Sequence, residues 1–238
     1  MQYSEDCEKA ILLVGDNFIE ALEHLFLSGD YKWVLRSAGV PETISKNMCE
    51  DSYRAALTFA IQHEVAHAKR GHLKYWKSEN YQIVSYARNR IEADADAMAS
   101  GWLAPCIFRE KLNISEFHDW WFSALTAIPI LYSHWDNGNV LETYPEFSVR
   151  YFLIKTRLSA FLNEHLPEIS SRFPALSMKT GEIAHRFCAS REMPTTLFVD
   201  DSSSIAAWCN SHFDEMGQFM ERIYSESDFI QNDSIQGT

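Results

Sequence analysis

Apolar positions recur at three- and four-residue spacing through most of the chain, the period of helices with one buried face. Residues 7 to 27, CEKAILLVGDNFIEALEHLFL, make one such amphipathic stretch. SGDYKW breaks it, and GVPET marks a turn before the next helix. From about Asp51, DSYRAALTFAIQHEVAHAKRGH predicts a long alanine-rich helix with an Asp or Ser as its cap. LKYWKSENYQIVS, residues 73 to 85, sets aromatic and β-branched residues around a polar centre. That pattern suits a short hairpin or an irregular link, and an edge strand near Tyr81–Ser85 would align an extended substrate by backbone pairing.

YARNRIEADADAMASGWLA resumes the helical period and is expected to end near Pro105. The apolar run from 117 to 135 predicts a buried helix, with Trp120, Trp121 and Phe122 in the core. Its most apolar run, WWFSALTAIPILYSHW over 120–135, falls short of the ~20 residues a bilayer span needs, and Pro129 interrupts it. After the loop DNGN, YPEFSVRYFLIKTRLSAFLNEHL predicts another helix. MPTTLFVDDSSS is a loop with at most one short strand, and SIAAWCNSHFDEMGQFMERIY is a last helix. The pattern predicts one mainly α domain over residues 1–225, with at most a small β-hairpin or edge strand, and a flexible tail over 226–238.

Composition narrows the function classes. A formal charge of -12 argues against a nucleic-acid partner and against docking on an anionic membrane. Five cysteines, odd in number and never in a CxxC pair, suit reduced thiols in a cytoplasmic protein. Acidic residues stand near the start where a secretory leader would be basic, so none is expected, and no stable membrane span is expected either. There is no Gly-rich phosphate loop and no GxSxG nucleophile motif.

The stretch HEVAHAKRGH, residues 63 to 72, carries the chemistry. On a helix, His63 and His67 stand four apart on one face, about 5–6 Å apart at Cβ. That separation suits two imidazoles converging on one tetrahedral zinc ion at roughly 2.0–2.1 Å per bond. Glu64 is placed to reach a water on the ion, so HExxH supplies two ligands and a general base in one helical turn. His72 is expected to cap the helix C-terminus.

A hydrolytic zinc needs a third protein ligand, with the fourth place left for water. IEADADAMA sets three carboxylates among alanines on a second helix. Small residues allow close helix approach, and carboxylates buried there call for a cation. Glu92 fits as the third ligand. Asp96, one turn on, fits as the acceptor for the outer N–H of a metal-binding histidine. Asp94 is expected to face solvent, and Arg88 and Arg90 to pair with nearby acids.

HExxH followed by a distant ExxxD resembles the gluzincin pattern of zinc metallopeptidases. HEVAHAKRGH with EADAD is most similar to its helical branch, the Ste24-like and HtpX-like peptidases and the phage-exclusion peptidase Lit. The resemblance covers about residues 55 to 155 and implies a helical zincin-like metallopeptidase domain with its zinc-site core near 51–155. In the Ste24-like members a later His-Pro and an Arg complete the site. TYPEFSVR keeps Pro145 and Arg150 at matching spacing, with Tyr144 in place of the histidine.

These readings converge on an expectation: a zinc-dependent endopeptidase that hydrolyses peptide bonds of an intracellular protein target, in phage defence or in regulation. Zn2+ would sit on His63, His67 and Glu92, with Glu64 moving the proton. Tyr144 and Arg150, with His134 behind them, are the candidates to stabilise the oxyanion. The alternative is a catalytically idle zinc-binding helical module that mediates protein–protein contact. Glu64 speaks against it, because a purely structural site has no use for a base.

Overall fold

The structure, a computed structural model, describes residues 15–72, 85–110, 114–136, 147–171 and 173–193. They form helices α1 (Asp16–Phe26), α2 (Gly29–Ser37), α3 (Glu42–Lys69), α4 (Ser85–Glu110) and α5 (Ile114–Asp136). α6 (Phe147–His165), the single turn α7 (Pro167–Ser170) and α8 (Phe173–Ser190) follow. The fold is mainly α, and no strand occurs among the described residues. The expected hairpin at 73–85 falls almost wholly outside them, as do the loop after residue 193, the last helix and the tail.

Three boundaries differ from the sequence expectation, and each has a local cause. SGDYKW does not end helical structure: the break is confined to Leu27 and Ser28, and α2 begins at Gly29. Ser28 caps α2, its side chain accepting from the Tyr31 backbone N–H at 3.4 Å. Gly39, at φ +79°, then closes α2. Its N–H donates to the Arg36 carbonyl, and Val40 N–H donates to Leu35, the paired bonds of a Schellman turn. Only glycine takes that left-handed position without strain.

α3 starts at Glu42, nine residues before the expected cap, because Pro41 sets the chain entry and Glu42 favours the positive helix end. Ser52 is therefore interior. It is buried and bonds the Tyr31 hydroxyl at 2.9 Å, tying α2 to α3. α4 also runs through Pro105 rather than stopping there. The carbonyl that Pro105 leaves without a helical donor belongs to Gly101, an exposed residue where water can take the bond.

α3 is the hub and packs against α1, α2, α4 and α5. α3 buries Ala55, Ala56, Ala60 and Ala66, and α4, packed on it, buries Ala95 and Ala99. Such small side chains let two helix backbones approach closely. α5 lies between α3 and α8 and is buried almost continuously from Trp120 to Ser133, as its apolar run predicts. Two of its hydroxyls bond within the helix: Ser123 and Thr126 donate to the carbonyls of Asp119 and Phe122. None of the described helices is long and apolar enough to cross a membrane.

α6 turns Ile154, Leu158 and Leu162 inward and packs on α4. α8 has no counterpart in the sequence reading. Thr180, Ile183, Ala184, Phe187 and Cys188 form its buried stripe against α5 and α2. Fully burying side chains such as Trp121, Phe59 or Leu125 contributes roughly 1.5–3 kcal/mol each. That core fixes α3 and α4 side by side, and the polar cluster lies between them.

Candidate metal centre

His63 and His67 lie on the last two turns of α3, one turn apart, and Glu92 lies on α4. All three are buried, with 3%, 1% and 5% of their surface exposed, so any charge they carry must be met inside the protein. His63 Nε2 stands 3.0 Å from His67 Nε2 and 3.2 Å from Glu92 Oε2. His67 Nε2 is 3.7 Å from the same carboxylate oxygen. One nitrogen from each ring and one oxygen thus close a small triangle that could hold a metal ion. Ligand atoms bonded at 2.0–2.1 Å in tetrahedral geometry stand roughly 3.3 Å apart, and the three separations bracket that value.

Each outer ring nitrogen lies close to a polar atom. His63 Nδ1 lies 2.8 Å from Asp96 Oδ1, the role the sequence assigns to Asp96. Asp96 is fully buried and also accepts a hydrogen bond from the Tyr132 hydroxyl of α5. His67 Nδ1 faces His72 Nδ1 at 2.9 Å. Phe59, one turn before His63, packs its ring 6.4 Å from that imidazole and edge-on to Tyr132 at 5.9 Å.

The electrostatics describe a site that demands positive charge. Burial alone would lower the His63 pKa, but hydrogen bonds and charge from Asp96 and Glu92 outweigh it and raise the value to about 9. Burial pushes the Glu92 carboxyl up, yet His63 and His67 hold it well below the ordinary range. Two buried acids aimed at one ring therefore keep a proton there when no cation is present. A divalent ion on the three inner atoms would take over that charge. The donor set, its spacing and its charge all fit such an ion.

Two expectations are corrected. Asp94 does not face solvent: it takes both nitrogens of a two-pronged Arg70 contact at 2.9 and 3.1 Å and lies 3.2 Å from His72 Nε2. Burial raises its pKa, but His72 and Arg70 override that and hold it at about 2. His72 does not cap α3, which ends at Lys69 with Arg70 as its C-cap. It is fully buried, and burial lowers its pKa. Gly71, at φ +74°, turns the chain so that His72 comes back against His67.

Glu64 is partly exposed beside His63. His134 is half-buried, and its pKa is lowered first by burial and then by the charges of Arg191 and His24. Tyr144 lies outside the described residues, and so do the side chains of Arg150, Arg88 and Arg90; the Arg150 backbone falls in the first turn of α6. Tyr132 and Arg70 were not identified from sequence. A tyrosine inside an apolar run carries no signal of its partner, whereas Arg70 stands in the same stretch as the histidines.

No family model matches the chain, and no curated protein or solved structure matches it either.

Proposed function

We propose that the chain is a zinc-dependent endopeptidase that hydrolyses peptide bonds of a protein target. The observation that carries this reading is the convergence of His63 Nε2, His67 Nε2 and Glu92 Oε2 at 3.0, 3.2 and 3.7 Å, with Glu64 beside it on the same helix. Two imidazoles and a carboxylate leave a fourth tetrahedral position for water.

Bound at this site, zinc would act as a Lewis acid and bring a water pKa down to about 7. Glu64 would serve as the general base toward the attacking water, holding its proton and passing it to the amine nitrogen of the cleaved bond. Glu92 would offset one of such an ion's two charges, and Asp96, 2.8 Å from His63 Nδ1, would favour the hydrogen there and so leave Nε2 to donate its lone pair. The gluzincin resemblance and the pairing of His63 with the ExxxD aspartate support the same assignment.

The test is Glu64→Gln. Purified without chelator, parent and variant should each carry one zinc per chain, measured by elemental analysis. New protein termini should appear in cells expressing the parent and not the variant. A Gln variant that cleaves the identified target as fast as the parent makes the peptidase mechanism wrong. Zinc retention with no cleavage by either protein would leave the alternative of a non-catalytic zinc module.

A further inference from the structure

We propose that Arg70, Asp94 and His72 form a positioning arm that fixes the hydrogen of His67 on Nδ1 and so presents its Nε2 to the metal. The inference rests on the metal reading above and extends it to three residues that touch no ligand atom of the triangle. Two like nitrogens 2.9 Å apart, His67 Nδ1 and His72 Nδ1, cannot both carry a hydrogen. With His67 Nε2 among the ligand atoms, its hydrogen sits on Nδ1, so His67 donates and His72 accepts.

That assignment settles the rest of the chain of contacts. His72 then carries its hydrogen on Nε2, 3.2 Å from Asp94 Oδ2. The Asp94 carboxylate also receives Nε–H and a terminal N–H from Arg70 at 2.9 and 3.1 Å. The His67–His72 and Arg70–Asp94 hydrogen bonds and the close approach of His72 Nε2 to Asp94 all agree with a ligand nitrogen at His67 Nε2. A side chain that merely filled space at position 72 would need neither Asp94 nor the left-handed turn at Gly71 that returns it to the site.

The arm also explains the spacing of the acidic run. Glu92 and Asp96 are four apart and share a face of α4, serving the ion and His63. Asp94 points about 200° around the helix from Glu92, out of reach of the ion. It meets the end of α3 instead, where His72 and Arg70 wait. His63 is thus held by an acid directly, and His67 through an intervening imidazole.

The experiment measures the Zn2+ dissociation constant by chelator competition for the parent, His72→Phe, His72→Gln, Asp94→Asn and, as control, Glu92→Ala. Removing an outer partner of a metal histidine weakens binding about 10–100-fold. His72→Phe should show that loss with unchanged helical circular dichroism. His72→Gln, whose amide oxygen can accept from His67, should recover most of it, and Asp94→Asn should lose about tenfold. If His72→Phe does not fold, the Gln and Asn variants carry the test.

His72→Phe binding within twofold of the parent, while Glu92→Ala fails, overturns the arm and leaves the metal reading standing. His72→Gln binding as weakly as His72→Phe assigns the effect to packing and also overturns it. A parent that binds no zinc removes the metal reading and the arm together.

Discussion

Tyr132 donates its hydroxyl hydrogen to the same Asp96 oxygen, Oδ1, that stands 2.8 Å from His63 Nδ1. A residue of α5 thereby braces the acid on α4 that orients a histidine on α3, and three helices meet at one buried atom. Removing the hydroxyl leaves that oxygen one donor short. Hydrogen bonds to charged groups contribute about 1.5–3 kcal/mol, so Tyr132→Phe should lower unfolding stability by that order. Urea denaturation of the ion-free protein reads it, and a change below ~0.5 kcal/mol would show that the contact is not made in solution.

Metal binding should stabilise the fold, because the triangle exists only when α3 and α4 are packed. A ligand at 100 times its dissociation constant adds about 2.7 kcal/mol. Thermal unfolding of the parent should therefore move upward with added Zn2+ and return with chelator. His67→Ala, which removes one of the three ligand atoms, should lose most of the shift. An equal shift in the variant would place the ion elsewhere.

How far this was legible in the sequence depends on the range of the interaction. HExxH and EADAD state their geometry locally, since four residues on a helix bring His63 beside His67 and Glu92 beside Asp96. Bringing the two pairs together requires α3 to meet α4, which the alanines permit but do not dictate. Tyr132 reaches Asp96 only because α5 packs across α3, a contact between positions 36 residues apart. His72 was visible as a histidine and misassigned as a cap, because its position depends on the backbone at Gly71 rather than on any side-chain spacing. α2 was missed for a related reason: Ser28 and Gly29 look like a terminator and act as a helix start.

Phe59 links the core to the metal centre. It is fully buried one turn before His63 and touches both His63 and Tyr132. Phe59→Ala should cost about 3–5 kcal/mol by removing transfer energy and leaving a cavity. Phe59→Leu, which fills most of the volume, should cost less. Equilibrium denaturation of both variants tests the order, and a Leu variant as unstable as the Ala variant would imply that the ring contacts matter more than volume.

Cys188 provides a pH dependence away from the metal centre. Burial pushes its thiol from an ordinary value near 9 up to about 11, against a smaller opposing hydrogen bond from Ser133. Between those values the unfolded chain releases the proton and the folded chain keeps it, so stability falls as pH rises. The contribution is complete below pH 9 and is lost as pH rises through about 11, on the order of 2–3 kcal/mol in all at 1.36 kcal/mol per pH unit. Cys188→Ala removes this titration, so the stability of the parent minus that of the variant should shrink between pH 8.5 and 10.5 in urea melts. A constant difference across that range would mean the thiol ionises in the native state as freely as in water. Peptide mapping after brief alkylation at pH 8 should agree, with label on the exposed Cys106 and little on buried Cys49 and Cys188.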